Sequence, residues 1–167
     1  MKDLLDKLSS YNIFNYLLPG TIFAGLGEKL TSYSFVQDNF LIGLFLYYFI
    51  GLIISRIGSL TVETLLKWIK FVQFADYKDY IKASELDPKV ELFSEQNNMY
   101  RTLCSLPIML AFLKIYDEVI KDSLPGGAHT NDAIFLIGLL VLFLLSYRKQ
   151  TKYVVQRIET VLKEEQK

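Results

Sequence analysis

The hydrophobic positions of this chain fall in long blocks rather than in the narrow stripes of a water-soluble helix. A bilayer core of about 30 Å needs roughly 20 mostly apolar helical residues at about 1.5 Å rise each. The run FLIGLFLYYFIGLIISRIGSL, residues 40–60, meets that requirement and carries no charge before Arg56. The run AIFLIGLLVLFLLSY comes after Asn131 and Asp132, which suit a headgroup layer, and predicts a span over 131–147. A further span is predicted over about 100–120. Its charge-free stretch, 102–113, is bracketed by Arg101 and Lys114, whose long stems can reach the two interfaces. The segment YNIFNYLLPGTIFAGLGEKL, residues 11–30, is the most interrupted, by Asn12, Asn15 and Pro19-Gly20, with Glu28 near its far end. It reads as a fourth span, and two rivals stay open. One is a re-entrant or interfacial segment. The other is a cleaved signal peptide, against which Asp3 and Asp6 offset Lys2 and Lys7 and Pro19-Gly20 breaks the apolar core.

The basic residues orient these spans. With four crossings, 15 of the 18 Lys and Arg lie on one side, and only Lys29, Lys114 and Lys121 on the other. If residues 11–30 do not cross, the division becomes 13 to 5. Both arrangements put the central loop, about 61–99, in the cytoplasm, and the four-span count puts both termini there as well. The expected architecture is one all-α membrane domain over 1–167, with spans near 11–30, 40–60, 100–120 and 131–147 and a cytoplasmic tail at 148–167. The outer loops are short. The second contains Pro125-Gly126-Gly127 and reads as a turn.

The cytoplasmic segments keep helical patterning. In TVETLLKWIKFVQF, Leu65, Trp68, Ile69 and Val72 share one face, and Glu63, Lys67 and Lys70 fall on another. This stretch would continue the second span or lie in the interface. Asp87-Pro88 predicts a break with a short helix on each side. In the tail, Val154, Ile158, Val161 and Leu162 form a stripe that extends the fourth span as one long helix and needs a partner, either the central loop or another subunit.

Composition narrows the chemistry. The chain has 167 residues, with 18 Lys and Arg against 18 Asp and Glu, so a basic nucleic-acid binder is not the default. The single cysteine, Cys104, excludes a disulfide framework and a cysteine zinc site, and His129 stands in an outer loop without ligand partners. No phosphate-binding loop, GxSxG, HExxH or dinucleotide fingerprint occurs. No acidic residue sits at mid-membrane depth, which argues against proton-coupled transport. The expectation is a protein that is not an enzyme and carries no cofactor or metal.

Three sets of residues remain as candidates. Arg56, Arg101 and Arg148 stand at the cytoplasmic edges of three spans. Glu63 lies two turns after Arg56 on the same helix face, and Glu95 and Asn98 shortly precede Arg101. They form a candidate polar cluster that would bind an anionic ligand or headgroup or act as a gate; simple interfacial anchoring is the competing reading. Gly43, Gly51, Ser55 and Ser59 share a face that permits close helix approach, within one chain or between subunits. Pro19 and Pro107 predict kinks or breaks.

The stretches YNIFNYLLPGTIF, ISRIGSLTVETLLKWIKF, NNMYRTL and SYRKQTKYVVQRI together resemble a family of small, uncharacterised bacterial membrane proteins with about four spans. Carried over position by position, the resemblance highlights Pro19, Gly20, Arg56, Gly58, Ser59, Glu63, Asn98, Arg101, Arg148, Lys149 and Gln150. It implies a bacterial inner-membrane location, and it fits membrane components encoded beside anti-phage defence genes. The functional expectation is a homo-oligomeric membrane effector or partner subunit that alters membrane integrity or permeability on a cytoplasmic signal. The alternative is a non-catalytic anchor or scaffold that recruits a soluble cytoplasmic partner. A lipid-active enzyme comes third, because no nucleophile–base pair is visible.

Overall fold

Three helices of this chain start on a side chain that accepts amide hydrogens of the first turn, which would otherwise lack a partner. The computed structural model describes residues 10–121 and 127–165. Its helices are α1 (residues 10–30), α2 (Phe40–Trp68), α3 (Tyr77–Leu86), α4 (residues 89–120) and α5 (Gly127–Glu165). No strand occurs among the described residues. Asn39 starts α2 by accepting the amide hydrogens of Leu41 and Ile42 at 3.0 and 3.2 Å. Asp76 starts α3 in the same way, from Lys78 N at 2.9 Å. Asp87 is extended, as suits a residue before proline, and accepts from Lys89 N at 2.9 Å to open α4.

Helix α2 ends in a Schellman turn. Phe71 N donates to Leu66 O and Lys70 N to Lys67 O, and Lys70 takes the left-handed conformation at φ 60°. A glycine is usual at that position. Here Lys67 Nζ lies 4.0 Å from the centroid of the Phe74 ring and pins the turn from outside.

Two helices, Phe40–Trp68 and Thr130–Leu162, are long and apolar enough to cross a membrane. The predicted spans 11–30 and 100–120 are also helical and carry more polar positions. The break at Asp87-Pro88 stands as expected, but the helix after it is not short: α4 runs without interruption from Lys89 through the predicted third span. Neither Pro19 nor Pro107 breaks its helix. Pro19 stands just past a π turn, Ile13–Leu17, whose wider hydrogen bonding spares the chain a proline clash. Two further π turns occur, at Gly58–Val62 in α2 and Tyr116–Ile120 in α4.

Helices α1, α2 and α4 pack as a tight trio. A Cβ added at Gly20 would fall on the Tyr47 carbonyl, and one at Gly51 on the Tyr16 carbonyl, so α1 and α2 cross backbone to backbone. Gly58 likewise leaves room for Ser105 Oγ of α4. Phe23, Ile54, Leu106 and Leu110 fill the centre. At one end, the 31–39 loop is tied to α4: Ser32 N and Oγ donate to Asp117 at 2.9 and 2.5 Å, and Lys121 Nζ donates to Asp117 at 2.7 Å. Tyr47, near mid-span, braces the same loop by accepting from Gln37 N at 3.1 Å.

The trio is partly inverted relative to a water-soluble bundle. Asn15, Ser55, Thr102 and Ser105 are 0% exposed, whereas Phe40, Phe45, Ile108 and Phe112 lie on the outside. Helix α5 goes further, since none of the residues in its most apolar window is buried. Its upper half meets the trio through Phe49 and Phe143, ring centroids 6.0 Å apart. Its lower half is held by polar and aromatic contacts, through Lys149, Tyr153 and Arg157.

Candidate functional site

The predicted polar cluster is present, with a different membership. Glu63 is its hub. It is 6% exposed, and its carboxylate receives Arg101 Nη1 at 2.6 Å, Lys67 Nζ at 2.9 Å and Lys149 Nζ at 3.3 Å. Residues from α2, α4 and α5 therefore converge on one carboxylate. Lys149 also donates to the carbonyl and hydroxyl oxygens of Ser59 at 2.7 and 2.8 Å. Glu63 and Lys149 lie past the ends of the apolar runs of their helices. Burial alone would raise the Glu63 carboxyl, but the Lys67 hydrogen bond and the charges of Lys149 and Arg101 outweigh it and hold Glu63 below its ordinary value. Burial pulls the Lys149 amine below the usual lysine value, and Glu63 only partly offsets this.

Arg56 does not join Glu63, although the two stand two turns apart in sequence. The π turn at Gly58–Val62 lies between them and accommodates one extra residue, which rotates everything downstream by about 100°. Glu63 thus faces α4 and α5, and Arg56 instead donates Nη2 to Tyr16 OH of α1 at 3.3 Å. Glu95 and Arg148 are exposed and make no ion pair among the described residues. Asn98 contributes its carbonyl, which accepts from Thr102 Oγ1 at 2.9 Å. Lys149 takes the place expected for Arg148, because Ser146, Lys149, Gln150 and Tyr153 share one helix face and Arg148 points off it.

The small-residue face divides by position. Gly51 meets α1, Ser55 sits between α1 and α4, and Ser59 holds Lys149 of α5. Gly43 is buried, but its nearest neighbour is Tyr47 of its own helix. Beneath Glu63 runs a buried polar chain that composition does not flag. Thr102 Oγ1 shares its one proton between the Asn98 carbonyl and Asn15 Oδ1, the latter at 2.8 Å, and Asn15 Nδ2 donates to Tyr11 OH at 3.2 Å and weakly to Ser55 Oγ at 3.4 Å. In the sequence Asn15 counts against a span. In the fold it is the amide that joins three helices. Its signal is its isolation within an apolar run, since a polar group there needs an internal partner.

Between α2 and α5 lies a cleft of about 30 Å³, lined by Arg56, Ser59, Ser146, Lys149, Gln150 and Tyr153. That volume admits water-sized atoms and is far below the several hundred Å³ of an organic cofactor pocket. No group of three or more metal-ligating side chains occurs among the described residues. Cys104 is exposed, and the His129 side chain lies outside the described residues. Lower on α5, Tyr153 packs on Tyr77 at 5.4 Å between ring centroids, and Arg157 pairs with Glu85 of α3 at 2.9 Å. The helix is therefore fastened along one polar face, at the Glu63 end. No protein family, curated protein or solved structure matches this chain.

Proposed function

We propose that this chain is a four-span protein of the bacterial inner membrane with both termini in the cytoplasm. In this reading it self-associates and acts as an effector or partner subunit, altering membrane permeability when a cytoplasmic signal reaches the Glu63 end. The resemblance adds anti-phage defence as the setting. The reading is non-catalytic. One observation carries it: α5 is a single helix whose apolar half is largely uncovered and whose polar half is clamped by Glu63, Ser59, Tyr77 and Glu85. An uncovered apolar helix of this length is stable in lipid and costly in water. A change at the clamp would be transmitted along α5 directly into the bilayer, because a helix moves as a rigid rod.

A second reading, the passive anchor, is favoured by the exposed stripe Val154, Ile158 and Leu162 on the lower half of α5. Such a stripe suits a soluble partner as well as a second copy. Leakage of a trapped dye from vesicles carrying the purified protein separates the two. The effector reading expects leakage that rises with protein density and changes in Glu63→Ala. Sealed vesicles for both proteins would leave the anchor.

A further inference from the structure

We infer that the cleft between α2 and α5 binds one phosphate group, with Arg56 as its main ligand, and that the group is presented by an anionic phospholipid. The inference rests on the proposed membrane reading. Its first support is charge. Lys67, Arg101 and Lys149 share the Glu63 carboxylate, and Arg56 lines the same cleft as Lys149 without reaching that carboxylate. Arg56 is left without an acidic partner among the described residues.

The second support is hydrogen bonding. Among the described residues one of the five N–H groups of Arg56 is used, by Tyr16, and its buried Nε has no acceptor. A buried guanidinium edge is costly to leave unpaired, and phosphate oxygens match its fork. Around it the cleft offers further donors, the amide of Gln150 and the hydroxyl of Tyr153, while the Ser146 hydroxyl is committed to the Leu142 carbonyl at 2.8 Å. Ser59 is committed to Lys149, which fixes the ammonium at the cleft wall.

The third support is depth. Arg56 stands 16 residues after Phe40, and Lys149 stands 16 after Ala133. Each is about 24 Å along its helix from the start of the apolar run, so both stand at one depth, about a helical turn inside the far edge of a roughly 30 Å core, and their long side chains reach the headgroup layer. Above the cleft the walls are apolar, with Phe49 and Leu145 exposed and Phe143 half-buried between the helices. An acyl chain can run along those walls while its phosphate enters between Arg56 and Gln150. Basic pockets between membrane helices recognise anionic headgroups in this manner. The small cleft suits the oxygens of a phosphodiester and excludes a bulky soluble ligand.

The test is native mass spectrometry of the full chain in neutral detergent, titrated with phosphatidylglycerol, phosphatidylcholine or inorganic phosphate. One phosphatidylglycerol per chain should bind about tenfold more tightly than phosphatidylcholine, as expected for one charge-assisted contact. Arg56→Gln should erase that preference. So should Gln150→Glu, an exposed position where a carboxylate would satisfy Arg56 internally without disturbing the fold. Arg56→Lys should retain part of it, and Arg148→Gln all of it. If inorganic phosphate displaces phosphatidylglycerol at millimolar concentration, the phosphate site stands and its natural source is soluble. Equal binding of the two lipids, or a preference untouched by both Arg56→Gln and Gln150→Glu, overturns the inference. The membrane reading has its own readout, because a chain that stays folded and dissolved after detergent removal ends that reading whatever the lipid titration gives.

Discussion

Helices α2 and α5 are both long and apolar enough to cross a membrane, yet they are held in opposite ways. Helix α2 is locked. Gly51 brings it into backbone contact with α1, Ile54 is buried in the centre, and Ser55 joins a polar chain to Asn15 and Thr102. Helix α5 has no such crossing at Gly138, since nothing lies within 4 Å of a Cβ built there. Its main fastenings lie past its apolar run, through Lys149, Tyr153 and Arg157. Apolarity alone therefore does not pack a helix. Where the surroundings are as apolar as the side chains, close approach and internal hydrogen bonds do.

The sharpest way to break this contrast is to remove the buried carboxylate on α2 that holds Lys149 of α5. Glu63→Ala leaves Arg101 and Lys149 partly buried without a counter-charge and should cost about 3–5 kcal/mol. Cysteines placed on α2 and α5 near the cleft should then lose their cross-link while an α1–α2 pair keeps its own. An unchanged melting temperature in detergent would mean that α5 is held by something other than this cluster.

Core truncation sets the two helices side by side. Ile54→Ala should lower stability by about 2–4 kcal/mol, because Ile54 is almost wholly enclosed. Leu140→Ala on exposed α5 should stay within about 0.5 kcal/mol. Equal losses in thermal melts would place α5 inside a packed interface.

The glycines give a finer comparison. Gly20→Ala drives a methyl onto the Tyr47 carbonyl and should cost about 1–3 kcal/mol through forced separation of α1 and α2. Gly138→Ala meets open space and should be neutral or stabilising by up to about 1 kcal/mol, since alanine is the better helix former. Melting curves of the two alanine variants in one detergent read both effects. The smallest contrast within a pair is expected between the hydroxyls. Thr102→Val strips a buried bond from Asn15 and should cost about 1–2 kcal/mol. Ser146→Ala should cost almost nothing, because that hydroxyl bonds the Leu142 carbonyl of its own helix.

Much of the fold is legible residue by residue. Asp87-Pro88 marks a helix break by chemistry that acts within a few residues, and the apolar blocks mark two long helices by composition. The continuous tail helix through Val154 and Leu162 comes from spacing alone. The candidate site is less legible. Arg101 and Glu63 stand out by their position at span edges, and the fold joins them. Counting ordinary helical turns puts Arg56 and Glu63 on one face, and the π turn at Gly58–Val62 breaks that count. The difference between Arg148 and Lys149 is a single residue of phase in a run, RKQTK, that is polar throughout. Periodicity has nothing to grip there.

The sequence by itself determined which stretches are helical, which of them are apolar enough for a bilayer, and that basic residues gather beside the apolar runs. These depend on short-range hydrogen bonding and on side-chain solvation, which each residue carries with it. Only the tertiary structure decided that Asn15 would meet Ser55 and Thr102, that Lys149 rather than Arg148 would reach Glu63, and that Arg56 would stand apart from that carboxylate. Those outcomes depend on helix phase and on the distance between backbones, and both are set by contacts among residues far apart in the chain.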